Sequence, residues 1–188
     1  EAAWRAAPEE GGFLCAGGLR PARYRTALRL LRDEARLHAA FTCFQPMNAP
    51  RAAASARDGQ ARLDDAVELV LAPAEAASGR EALRIVVTVR GVTQVEGVPD
   101  AKAGIRAAVR ERADRWCVEI SLPLSELGIA PGRAGGARLN ALRYVRERGA
   151  APEESAWFPV FADEKDPRPG GWVFLLSPGE AASNPPTR

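Results

Sequence analysis

The stretch DRWCVEISLPLSELGI, residues 114–129, changes character halfway. Trp116, Val118, Ile120 and Leu122 fall on one side of a period-two pattern, and Arg115, Cys117, Glu119 and Ser121 on the other. Side chains alternate between faces along a strand, so this half reads as a strand with one face buried. Pro123 has no N–H to donate to a sheet ladder and stops the alternation. LSELG then reads as one short helical turn closed by Gly128.

The same alternation recurs outward from this segment. Tyr24, Thr26, Leu28 and Leu30 alternate, RDEA offers a turn, and Leu37, Ala39, Phe41 and Cys43 alternate again. The Ala, Leu and Arg content of this region favours helix by propensity, but the pattern predicts a β-hairpin. AVELVLAP from Ala66, stopped by Pro73, and ALRIVVTVRG from Ala82 read as further strands. GIRAAVRER from Gly104 pairs with the opening stretch in a hairpin turning at Ala113–Asp114. ARLNALRYVRE from Ala137 and WVFLL from Trp172 complete the set. Pro-, Gly-, Asp- and Asn-rich loops separate them. The prediction is an all-β, antiparallel two-sheet β-sandwich, immunoglobulin- or jelly-roll-like, with a short helical turn near 124–128. Leu28, Leu30, Leu37, Phe41, Val67, Leu69, Ile85, Val87, Trp116, Val118 and Ile120 should lie between the sheets. Trp4 and Trp172 are expected to be packed as well.

One domain over 1–176 fits a chain of 188 residues, followed by a flexible Pro-rich tail, 177–188. Apolar residues make up 46% and charged residues 27%, with a net charge of +2. That balance points to no nucleic acid and no anionic membrane as partner, and no apolar run is long enough to span a bilayer. The chain opens on Glu1 without Met, which fits removal of a signal peptide or lipoprotein leader, or a neighbouring domain upstream. Cys15, Cys43 and Cys117 form no disulfide framework and are expected as free thiols. There is no Cys-x-x-Cys pair, no G-x-S-x-G and no phosphate-binding loop. A His-based triad or zinc site would have to centre on His38, the only histidine.

Several blocks, in order, resemble the family 9 carbohydrate-binding modules of the DOMON-like superfamily. The opening stretch is similar to that family's W-x-V-E-I-x-[IL]-P-[FL]-x-x-L-G segment. AAWRAAP, DEARLHAAFTCFQP, LDDAVELVLAP, LNALRYVRE and SAWFPVF resemble its other blocks, so the resemblance covers about Glu1 to Leu176. It implies non-catalytic binding of a polysaccharide or its chain end, by a module associated with glycan degradation and exported by a bacterium. The place would be extracellular or periplasmic, with lipoprotein anchoring as one arrangement. The partners would be a glycan ligand and a catalytic domain or neighbouring protein, with any hydrolysis belonging to that other domain.

Sugar recognition needs an aromatic face for C–H groups and fixed polar groups for hydroxyls. In the family two Trp side chains sandwich the terminal sugar. The resemblance places Trp157 as one clamp ring. The second ring should stand just before Asp64–Asp65, where this chain has Arg62. Glu68 matches the family's glutamate, and Thr88, Arg90 and Asn140 fall on polar faces suited to hydroxyl binding. With one ring replaced, affinity on the order of millimolar, about −4 kcal/mol, is expected. No organic cofactor is implied. Calcium is an option through Asp163, Glu164 and Asp166, or through Asp64–Asp65, since it needs six to eight oxygen ligands. Two rival readings come with the fold. Related sandwich domains hold haem through Met and His, and His38 and Met47 are the single members of each type here. The other rival is a structural or docking β-sandwich without a sugar ligand.

Overall fold

The computed structural model describes residues 2–17, 20–47, 50, 52–53, 60–74, 82–97, 101–147, 149–159 and 170–176. Two antiparallel sheets face each other. The chain opens with helix α1 (Ala2–Ala6) and β1 (Leu14–Cys15). The hairpin β2 (Thr26–Arg32) and β3 (Arg36–Phe44) follows, then β4 (Ala66–Pro73), β5 (Leu83–Thr88) and β6 (Thr93–Glu96). The hairpin β7 (Arg106–Glu111) and β8 (Arg115–Pro123) leads into a 3-10 turn, Leu124–Leu127. The long β9 (Gly135–Val145), β10 (Glu153–Ala156) and β11 (Gly171–Leu175) close the chain. The smaller sheet has the order β2-β3-β8-β7, and the larger runs β1-β10-β9-β4-β5-β6 with β11 also on β9.

The period-two reading places the core correctly. Leu28, Leu37, Phe41, Val67, Leu69, Ile85, Val87, Trp116, Val118 and Ile120 are all buried in one cluster between the sheets, with Leu30 partly buried against it. Trp116 faces Cys43 across the β3–β8 ladder, and Val118 faces Phe41. Tyr24–Phe44 contains the predicted hairpin, so patterning overrides helix propensity there. The turn after β8 ends as expected: Gly128 takes φ 73°, and its N–H bonds the carbonyls of Leu124 and Ser125. A left-handed cap of this kind suits glycine, which has no Cβ to clash.

Other expectations need correction. Trp4 is only partly buried, on α1. Trp172 is 56% exposed, because alternation along β11 turns it away from the core that buries Leu175. β4 is buried on both faces. A second apolar cluster covers the outer face of the larger sheet, formed by Ala61, Ala66, Val70, Ala72, Ala82, Val86, Leu142, Tyr144 and Ala156.

β4 occupies one edge of β9, so β10 and β11 share the other edge end to end. Asn140 lies in the gap between them. Its Nδ2 donates to the Phe158 carbonyl at 3.2 Å and its Oδ1 accepts from the Phe158 N–H at 3.0 Å. One side chain thus substitutes for the missing ladder. The Phe158 ring fills the notch so closely that a Cβ on Gly171 would stand 2.0 Å from its Cζ.

The cysteines are free thiols, as expected. The tail 177–188 and the acidic segment with Asp163, Glu164 and Asp166 lie outside the described residues. Among the described residues no helix is long and apolar enough to cross a membrane.

Candidate functional site

The outer face of the larger sheet carries the polar groups that the sequence singles out. β4 directs Val67, Leu69 and Leu71 into the core, so Glu68 points outward among Val86 of β5 and Leu142 of β9. The 3-10 turn Ala61–Leu63 brings Arg62 over it. Glu68 is fully buried, and both of its oxygens are engaged. Oε1 accepts from Arg62 Nη2 at 2.8 Å and from Arg84 Nη1 at 3.2 Å. Oε2 accepts from Arg62 Nε at 2.8 Å and from the Tyr144 hydroxyl at 2.6 Å. A carboxylate has about four lone-pair sites, and all are used. Arg62 continues the chain to Glu96 at 2.8 and 3.0 Å.

The electrostatics follow from this packing. The fork-to-fork contact with Glu68 holds the Arg62 guanidinium charged, its pKa pushed above the usual range. Burial, and then the Glu68 charge, push the Tyr144 phenol up, so it remains a donor. The hydrogen bond from Arg62 draws Glu96 below its ordinary 4.5.

Of the six sequence-designated residues, the fold brings together Glu68 and Arg62 and spreads the others. Trp157 follows β10 opposite Ala141, whose carbonyl accepts its N–H at 2.8 Å. Its ring packs partly buried against the core between the sheets, edge-on to Phe158 at 4.7 Å. It therefore lies on the opposite side of the sheet from Glu68. Thr88 is buried, and its hydroxyl accepts the Val92 N–H at 3.1 Å to close the β5–β6 turn. Arg90 reaches from that turn to Glu111 of the smaller sheet at 2.7 Å. Asn140 splices the Phe158 loop. No Trp among the described residues stands beside Glu68.

The calcium and haem alternatives meet specific geometry. Asp64 Oδ1 accepts the Ala53 N–H at 2.9 Å, and Asp65 Oδ1 accepts from Gln45 Nε2 at 2.9 Å. Both are buried structural acceptors, and among the described residues no three His, Cys, Asp or Glu side chains group to hold a metal. His38 faces outward from the smaller sheet and bonds Asp33 at 2.8 Å, whereas Met47 packs against the inner core beyond the far end of β3. The strand from His38 to Phe44 alone spans about 20 Å, so the two cannot ligate one haem iron.

Sequence reasoning missed Tyr144, which reaches Glu68 from the neighbouring β9, and Glu96, which holds the other side of Arg62 from β6. It also missed the exposed aromatic pair on β11. Trp172 and Phe174 lie with ring centroids 6.5 Å apart and planes 19° apart. Their i, i+2 spacing was the available signal, since two residues apart on a strand share a face.

No protein-family model matches the sequence, and no curated protein matches it. Solved structures do. A family 9 carbohydrate-binding module from Caldicellulosiruptor kristjanssonii in complex with cellotriose superposes with a TM-score of 0.77 at 13% identity. The match covers 100% of this chain and 92% of that one. A family 9 module from the same organism in complex with glucose gives 0.73 at 13% identity, over 94% and 88% of the two chains. A candidate carbohydrate-binding protein from Bacteroides uniformis gives 0.70 at 12% identity, over 90% and 87%. The chain has the β-sandwich fold of the family 9 carbohydrate-binding modules.

Proposed function

We propose that this domain is a non-catalytic carbohydrate-binding module that takes a polysaccharide or its chain end. The observation that carries the reading is the whole-length likeness to modules that hold cellotriose and glucose. It acts beside a glycan-degrading catalytic domain or neighbouring protein, exported to the periplasm or cell exterior, where polysaccharides are met. Lipoprotein anchoring would keep it at the cell surface. A glycan array on the purified domain, followed by calorimetry, tests the reading. Saturable binding on the order of millimolar supports it, and an array with no binder defeats it.

One observation favours a second reading, a docking β-sandwich without a sugar ligand. Arg62 stands where the resemblance expects an aromatic ring, and the chain's own side chains occupy all of Glu68's acceptor capacity. The empty array is the outcome that selects this reading.

A further inference from the structure

The outer face of the larger sheet has a second polar–aromatic neighbourhood, on β9 and β11. Counting four residues along a strand and two strands across puts it about 16 Å from Glu68. Trp172 is 56% and Phe174 76% exposed, ahead of every other bulky apolar side chain among the described residues. The Trp172 ring extends over Gly136, its Cε3 and Cζ3 lying 3.9 Å from where a Cβ would be. Directly across the ladder from Trp172 is Arg138, and opposed side chains on one sheet face stand about 5 Å apart.

Arg138 differs from the other arginines of this face. Arg62 and Arg84 pair with Glu68, Arg62 also with Glu96, and Arg146 with Glu154. Among the described residues of the face, four guanidinium groups therefore stand against three carboxylates, and every carboxylate is matched. The remaining cation is Arg138. Its Nε is shielded from solvent and has no hydrogen-bond partner among the described residues. A planar guanidinium suits a carboxylate bidentately.

We infer that Trp172 and Arg138 form a binding site for an acidic sugar, a uronate unit of a glycan chain. The inference rests on the carbohydrate-binding reading and names the ligand class and place. The C–H face of the pyranose stacks on Trp172, Phe174 extends the platform to an adjacent unit, and Arg138 takes the carboxylate. A neutral sugar would use the platform and leave the cation unmatched.

Calorimetry with trigalacturonate and cellotriose, on the wild type and on Trp172→Ala and Arg138→Gln, tests this. Sedimentation runs alongside, and circular dichroism checks that the variants fold. Trigalacturonate should bind the wild type at least ~10-fold more tightly than cellotriose, or about 1.4 kcal/mol. Each substitution should remove most of that advantage, and added salt should weaken the wild type more than Arg138→Gln. Equal binding of the two sugars, untouched by Arg138→Gln, would overturn the acidic class. Sugar binding undiminished in Trp172→Ala would overturn the site while leaving the carbohydrate reading standing. No binding of either trisaccharide, with other glycans bound on an array, would also overturn the inference alone; an empty array would remove both. A wild-type dimer that Trp172→Ala makes monomeric would overturn it too, by assigning the patch to a second copy.

Discussion

Glu68 shows how one residue's role depends on what surrounds it. A carboxylate buried at 0% exposure is tolerable only because two guanidinium groups and a phenol surround it. Glu68→Gln keeps the shape but leaves Arg62 and Arg84 facing a neutral amide. Breaking a buried pair from one side costs about 3–5 kcal/mol. Arg62 is 27% and Arg84 16% exposed, so the expected loss is near 3 kcal/mol, measured by urea unfolding. Glu96 predicts a pH effect. Its pKa is depressed from 4.5 in the folded state, chiefly by Arg62. Its contribution to stability is therefore present above the unfolded value and is lost as pH falls through the lower folded value. Stability should drop as pH falls below about 4.5. Glu96→Gln should flatten that part of the urea-midpoint profile, and an unchanged slope would count against the Arg62–Glu96 pair.

At the scale of elements, the splice on β9 couples three segments. The Phe158 ring occupies the space that a side chain on Gly171 would need, with its Cζ 2.0 Å from where a Cβ would be. Gly171→Ala must push the ring or the strand aside, at about 1–3 kcal/mol for overpacking. Phe158→Leu in the same chain should recover part of the loss, a coupling that a double-mutant cycle reads directly. Trp157 belongs to the same corner. A fully buried Trp→Ala costs about 3–5 kcal/mol, and this ring is partly exposed, so Trp157→Ala should cost about 2 kcal/mol. Sugar affinity should stay within about twofold, the reverse of what a clamp ring would show. Thermal melts and calorimetry on that one variant separate the two roles.

For the whole molecule, one apolar cluster draws on both sheets, from Leu28 and Phe41 through Leu69 and Ile85 to Trp116 and Leu139. A relay crosses the same space: Asp65 accepts from Gln45, and Gln45 accepts from Arg143, which also donates to Thr26 and lies over Trp116. Neither sheet keeps a core of its own on that side, so the sandwich should unfold as a unit. Far-UV circular dichroism and tryptophan fluorescence should give coincident denaturant transitions. Separated midpoints would mean that one sheet survives the other.

The pattern of burial along each strand was legible because period two is a local property. Which of Trp116 and Cys117, or of Phe41 and Thr42, faces inward depends only on alternation and on water leaving the apolar side. The Pro123 stop and the Gly128 cap are equally local, set by a missing N–H and a missing Cβ. Recognition of the fold likewise rested on residues whose order along the chain is itself the signal. The site was different. Trp157 and Glu68 both lie in blocks that resemble a sugar-binding family, yet the fold sends them to opposite faces of one sheet, on either side of β9. Glu68 is saturated by Arg62, Arg84 and Tyr144, which come from three other segments. Arg138 stands apart among the described residues only because every carboxylate on its face is already claimed by another arginine. Pairing across strands determines who meets whom, and no local rule along the chain carries that information, because the register is set by the collective packing of two sheets.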